Sequence, residues 1–290
     1  MCRWCMKHGI GQKWYLNAKN YSASELGDED TFREYLTEQW MNFEAVYIRK
    51  IAGLSSKGLG YKLQIPLIGK ILRWSVERMI HGTIRKPNPI RADGHIGQVI
   101  PMEDAQIILS ELAAEPIVET YCMCRKMQRG INYQSCINFG VLSEVLEKLP
   151  RFIPKERAYR ITREEAVERM EQHNKNGLVS TVWYQPYPYI NAICNCESPE
   201  CGALRLRNDF DLMIMSKAEY IINLNQDNCQ GCKSCVVMCQ WNAIRFIPSI
   251  KRVIVDYDKC FGCGVCRHAC KHDALQLIPR KEFHGFNGHY

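Results

Sequence analysis

Several things are missing from this sequence of 290 residues. No uncharged apolar run reaches the ~18 residues that a membrane-spanning helix needs. The opening Met1-Cys2-Arg3-Trp4-Cys5 has no apolar core and no cleavage signature, so a secretory leader is not expected. There is no Gly-x-Gly-x-x-Gly fingerprint for a dinucleotide and no Gly-x-x-x-x-Gly-Lys-Ser/Thr phosphate loop, so neither a Rossmann-type nicotinamide site nor P-loop ATP coupling is expected. Basic residues are dispersed instead of running together, and no helix-turn-helix is evident. A polyanion groove is therefore not expected.

Cysteine is abundant, with 16 residues. Without an export signal, so many thiols point to a reducing compartment and to metal binding, hence a cytoplasmic location. Eight of them spell one phrase twice. Cys229-x-x-Cys232-x-x-Cys235-x-x-x-Cys239 recurs 31 positions later as Cys260-x-x-Cys263-x-x-Cys266-x-x-x-Cys270. Asp227, Gly231, Ala243 and Pro248 recur with the same offset as Asp258, Gly262, Ala274 and Pro279, which marks an internal duplication.

This spacing is the ligand run of paired [4Fe–4S] cubanes, in which the fourth cysteine of each run serves the other cluster. Cys229, Cys232, Cys235 and Cys270 are assigned to cluster I, and Cys260, Cys263, Cys266 and Cys239 to cluster II. Gly231, Gly262 and Gly264 remove Cβ atoms where the loop must pass close to a cube. Structural zinc closes one tetrahedron with separated Cys pairs and has no use for a third cysteine in each run. The swapped ligands make metal binding and folding of this region one event.

Residues 219–280 resemble a bacterial-type two-[4Fe–4S] ferredoxin domain. That family usually places Pro after the fourth cysteine, whereas Gln240 and Lys271 stand here. Lys271 would set a cation beside cluster I and raise its potential relative to cluster II. Oxygen-labile cubanes suggest an anaerobic host.

Two further cysteine groups precede the repeat. Cys122-x-Cys124 with Cys136, and Cys194-x-Cys196-x₄-Cys201, are read as converging on one metal centre that draws four ligands from six. Cys122 and Cys124 follow a strand, and Cys136 precedes a helix beginning near Phe139. Lone buried thiols are common, but Cys-x-Cys pairs are not explained that way. The phrases at 97–109, 121–125, 135–140, 161–179 and 193–205 resemble, in order, the Cys-rich N-terminal region of larger iron–sulfur proteins of strict anaerobes. Those relatives carry further cysteines where 128–134 and 197–200 here hold none. A third [4Fe–4S] cluster is the expectation, with zinc as the alternative. Cys2, Cys5 and His8 form a fainter three-ligand set.

The expected class is α+β, with a mainly helical N-terminal domain (1–215) bearing short strands, then the ferredoxin-type domain (216–290). Helices are expected at 28–50, 66–80, 103–113, 139–148 and 163–175, and strands at 117–121 and 178–184. The 28–50 helix carries Phe32, Leu36, Trp40, Phe43 and Tyr47 on one face, most simply core. The 66–80 helix is basic and amphipathic. Ordinary packing is expected for it, with peripheral membrane contact as the other reading.

The formal charge of +7 counts cysteines as neutral. Each cubane with its thiolates brings about −2, leaving about +3 with two clusters and about +1 with three. That balance removes most of the argument for nucleic acid. The expected role is an electron relay within an anaerobic oxidoreductase, handing electrons to a partner with flavin or another redox centre. No residue is assigned as catalytic. An iron–sulfur enzyme with an open iron, using Glu197 and His173, is the alternative, and a redox-sensing binding module is a third.

Overall fold

The computed structural model describes residues 9, 12–46, 62, 64–85, 97–148, 158–184, 188–209, 212 and 214–283. Cys2, Cys5, His8 and the end of the 28–50 helix lie outside the described residues.

Strands β1 (Gly97–Val99), β2 (Ile117–Tyr121), β3 (Gln134–Phe139), β4 (Tyr159–Arg160), β5 (Val179–Tyr184), β6 (Ile190–Cys196) and β7 (Met215–Ser216) build one sheet, in the order β4-β2-β3-β6-β5-β1-β7. Only the β1–β7 pair is parallel. The helices are α1 (Glu29–Val46), α2 (Ile68–Arg85), α3 (Met102–Ile107, continued by a π turn to Leu112), α4 (Met123–Arg129), α5 (Val141–Lys148), α6 (Arg163–Lys175) and α7 (Gly202–Asn208). Helices and short strands are mixed, as expected for an α+β chain, but the joining of the strands is not part of that expectation. The strands form a single sheet, and the core is laid on it.

Pattern explains this layout. α6 starts at Thr162 with a complete capping box: its hydroxyl accepts from the Glu165 N–H and the Glu165 side chain answers the Thr162 N–H. Ala166 and Met170 then face Ile137, Phe139, Val182 and Ile193 of the sheet, and α3 adds Ala105 and Ile108 to the same core. α1 buries Phe32 and Leu36 against Val141 and Val145 of α5 and Tyr189. Phe139 ends β3 and does not open a helix; α5 begins only after Gly140, whose φ of 62° turns the chain.

The C-terminal part adds β8 (Tyr220–Leu224), α8 (Ser234–Met238), β9 (Ile244–Ile247), β10 (Arg252–Val255), a 3₁₀ turn (Val265–Ala269) and β11 (Leu275–Pro279). The duplication is visible in the pairing. β8 and β10 are equivalent under the 31-residue offset, as are β9 and β11. Each repeat's first strand pairs with the other's second: β8 with β11, β10 with β9. Val99, Cys196, Leu204 and Met215 share one core cluster with Ile222, Trp241, Phe261 and Leu275. The sheet and the repeat thus meet through a common interior.

α2 departs from expectation. It begins after Leu67, whose φ is 68°, and runs past Gly82 to Arg85. Gly69 is buried and Leu72 packs on the core, but Ile68, Ile71 and Trp74 point outward.

Candidate metal centres

The repeat encloses two small cavities. One is lined by Cys229, Cys232, Cys235 and Cys270, with Leu224, Val253 and Leu275 behind them. The other is lined by Cys239, Cys260, Cys263 and Cys266, with Ile222, Trp241, Ile244 and Phe261. In each cavity the fourth cysteine comes from the opposite repeat. The cause is the swapped strand pairing, which folds each run's last turn (α8, or the 3₁₀ turn after Gly264) across the other run's loop.

The glycines are required there. Gly231 and Gly262 have φ of 65° and 71°, and a Cβ would run into the Lys251 carbonyl or the Tyr220 carbonyl. Those two obstructing residues are themselves related by the 31-residue offset.

The two cavities differ in exposure. Cys232 is exposed, whereas Cys260, Cys263 and Cys266 are buried. Burial pushes the Cys263 thiol up to about 12 and that of Cys235 up to about 11, and raises Cys260 and Cys266 as well. Hydrogen bonds from the Ser234 backbone and hydroxyl, with the charge of Lys271, lower Cys232. Backbone N–H groups also point at sulfur: Ala243 to Cys239 at 3.3 Å, and Ile222 and Gly262 to Cys260. A cysteine-rich, apolar, N–H-lined cage of this kind suits a cubane.

Residues 228–274 match the 4Fe-4S dicluster domain family. The chain carries a two-cluster iron–sulfur domain. No curated protein matches the chain. The dicluster domain supplies the electron-transfer chemistry of paired [4Fe–4S] centres.

The six earlier cysteines all come together. Cys136 and Cys194 are register partners on β3 and β6, and Cys196 lies two residues on, so it shares their face. Thr120 pairs with Cys136, which brings Cys122 to the same side beyond a bulge at Thr120/Tyr121. Cys124 lies in the first turn of α4, and Cys201 is the residue before α7. Sulfur hydrogen bonds link Cys194 to Cys136, Cys136 to Cys122, Cys122 to Cys124, Cys124 to Cys201 and Cys201 to Cys196. Hydrogen bonds from Cys124 and Cys136 hold the Cys122 thiol well below its ordinary range. The sulfurs run as a chain: among the described residues, no three Cys, His, Asp or Glu side chains are set to hold a single ion.

The loop between Cys196 and Cys201 is clamped onto α4. Glu197 pairs with Arg125, and Glu200 pairs with Arg129 at 2.5 Å. Arg125 also lies over the Tyr133 ring, 4.0 Å from its centroid. On the opposite face of β2, the almost fully buried Glu119 pairs with Arg169 and lies 3.8 Å from His173. These residues, with Tyr121, Tyr133 and Gln172, line an open cleft of about 750 Å³. Glu119 escaped sequence reasoning, although a lone carboxylate inside an apolar strand was a signal. Glu197 and His173 fall on different elements, one in the clamp and one in the cleft.

Gln240, which replaces the usual Pro, ties the dicluster domain to this region. Its Oε1 accepts from Ser198 N at 3.0 Å, its Nε2 donates to the Gly177 carbonyl at 3.1 Å, and its own carbonyl accepts from Asn208 Nδ2 at 2.9 Å.

Proposed function

We propose that the protein is an electron relay, most simply a subunit of an oxidoreductase complex in the cytoplasm of an anaerobe. Cluster I is held by Cys229, Cys232, Cys235 and Cys270, and cluster II by Cys239, Cys260, Cys263 and Cys266. Four of Cys122, Cys124, Cys136, Cys194, Cys196 and Cys201 hold a third [4Fe–4S] cluster, with zinc as the alternative occupant. Residues 1–215 and 216–290 act as two units on a shared core. The observation that carries this reading is the pair of cavities, each walled by four cysteines drawn from both repeats.

The order of the relay follows from exposure. Cluster I, with Cys232 at the surface, faces the redox partner, a protein bearing flavin or another redox centre. Cluster II lies inside. Gln240, one peptide from Cys239, reaches the loop that joins Cys196 to Cys201, so the N-terminal centre adjoins cluster II. Reductive titration of the anaerobic holoprotein, followed by EPR, tests the relay. Each cluster should take up one electron and give its own or a spin-coupled signal. A protein without a reducible centre would contradict the proposal.

A second reading, an iron–sulfur enzyme, draws support from six thiols gathered where a cubane takes four, and from the polar cleft with Glu119, Arg169 and His173. A three-ligand N-terminal cluster that changes its spectrum with small polar ligands would favour it. Full four-cysteine ligation would favour the relay.

A further inference from the structure

Nine large apolar side chains stand exposed among the described residues, and four of them lie within eight positions on and before α2. Leu67, Ile68, Ile71 and Trp74 are 74%, 51%, 62% and 60% exposed. Successive spacings of three put Ile68, Ile71 and Trp74 on one helical face. The opposite side, through Gly69 and Leu72, fastens the helix to the core that also carries the cysteines. An ordinary surface helix turns its apolar stripe inward. This one presents it to solvent.

The charge of that segment is predominantly positive. The sequence of α2 holds Lys70, Arg73, Arg78 and Arg85 against a single acid, Glu77, and Lys62 is exposed just before it. The Arg78 guanidinium lies 5.2 Å from the Trp74 ring centroid, so a cation sits at the apolar margin beside an indole. An apolar strip with tryptophan, edged by cations, matches the boundary between lipid tails and anionic headgroups. A protein partner would need an acidic rim around an apolar groove. A bilayer offers both over any area.

We propose that the outer face of α2 docks the protein on anionic membrane surfaces. Ile68, Ile71 and Trp74 enter the headgroup boundary, while Lys62, Lys70 and Arg78 meet lipid phosphates. This role is independent of the relay reading. It would hold the redox centres within reach of a membrane-bound donor or acceptor.

Full-length holoprotein should be sedimented with vesicles of mixed phosphatidylcholine and phosphatidylglycerol, and with vesicles of phosphatidylcholine alone. Binding is expected to the mixed vesicles only, and should fall as salt is raised. Ile71→Glu or Trp74→Glu should abolish it. Lys70→Gln and Arg78→Gln should each weaken it about fivefold. Ile250→Glu, at an exposed apolar site on the β9–β10 turn, should bind like the parent. Iron content unchanged across these surface variants confirms folding. Absence of binding, equal binding to both vesicle types, or binding untouched by Ile71→Glu would each overturn the proposal. Self-association that Ile71→Glu removes would also overturn it, assigning the face to a second copy of the chain.

Discussion

Gln240 and Lys271 occupy the positions where two-cluster ferredoxins usually carry proline, and the structure gives them unequal weight. Gln240 makes three hydrogen bonds across to the sheet region, and the two from its side-chain amide, to Ser198 N and the Gly177 carbonyl, are ones that a proline could not make. Lys271 is exposed, so its field is screened by water and salt. Two other cations are buried beside cluster II. Arg280, 1% exposed, donates to the Cys260 and Ala218 carbonyls, both at 3.1 Å, and Lys217 donates to the Asp258 carbonyl at 2.7 Å. Charge acts more strongly from within a low-dielectric interior. Arg280→Met or Lys217→Met should therefore lower the potential of cluster II by more than Lys271→Met lowers that of cluster I. EPR-monitored redox titration reads both, and a larger shift from Lys271→Met would reverse the assignment. Cys239→Ser, although in the first run, should damage cluster II and spare cluster I. Loss confined to cluster I would show that the ligands are not exchanged.

Among elements, the loop between Cys196 and Cys201 shows how a break in a motif can be structural. Glu197 to Glu200 stand where the resembled proteins continue with cysteine, and here two of the four form ion pairs with α4. Glu200 is largely buried, so removing its partner leaves an unpaired charge. Arg129→Ala should destabilise the region by about 1 kcal/mol and loosen the six-cysteine group, seen as earlier melting and faster metal loss. An unchanged melting temperature would show the clamp to be idle.

The elements also show what could be read in advance. The α6 capping box, the β2 strand and the duplicated cysteine run are local signals, and each appears where its pattern lies. β3 and β6 gave no such signal. Their alternation is blurred because both faces of the sheet are covered; Cys196 is buried in the core and Cys194 packs against it, while Cys136 is half-buried. The convergence of six thiols was legible only as a grouping; the register that aligns Cys136 with Cys194 is a tertiary fact. α2 misled because amphipathicity tells which face is apolar, not whether anything covers it.

At the scale of the whole molecule, the metal governs the state of the protein. With Cys235 pushed up to about 11 and Cys263 to about 12, the metal-free fold favours protonated thiols. That contribution is complete below the ordinary thiol range near pH ~8.5 and is lost as pH climbs through about 11 to about 12. Cluster assembly must displace those protons. Reconstitution should therefore quicken as pH rises from about 7 to about 9, and iron uptake insensitive to pH over that range would count against buried, protonated ligands.

Iron and acid-labile sulfide per chain, measured on anaerobically purified protein together with EPR of the reduced form, test the central claim most directly. Three cubanes require about twelve iron and about twelve sulfide, falling by about four of each when Cys124 and Cys196 are both replaced with Ser. About eight of each, unaltered by those replacements, would contradict the third cluster, and about eight with one zinc would make the N-terminal centre structural and end the electron path at cluster II.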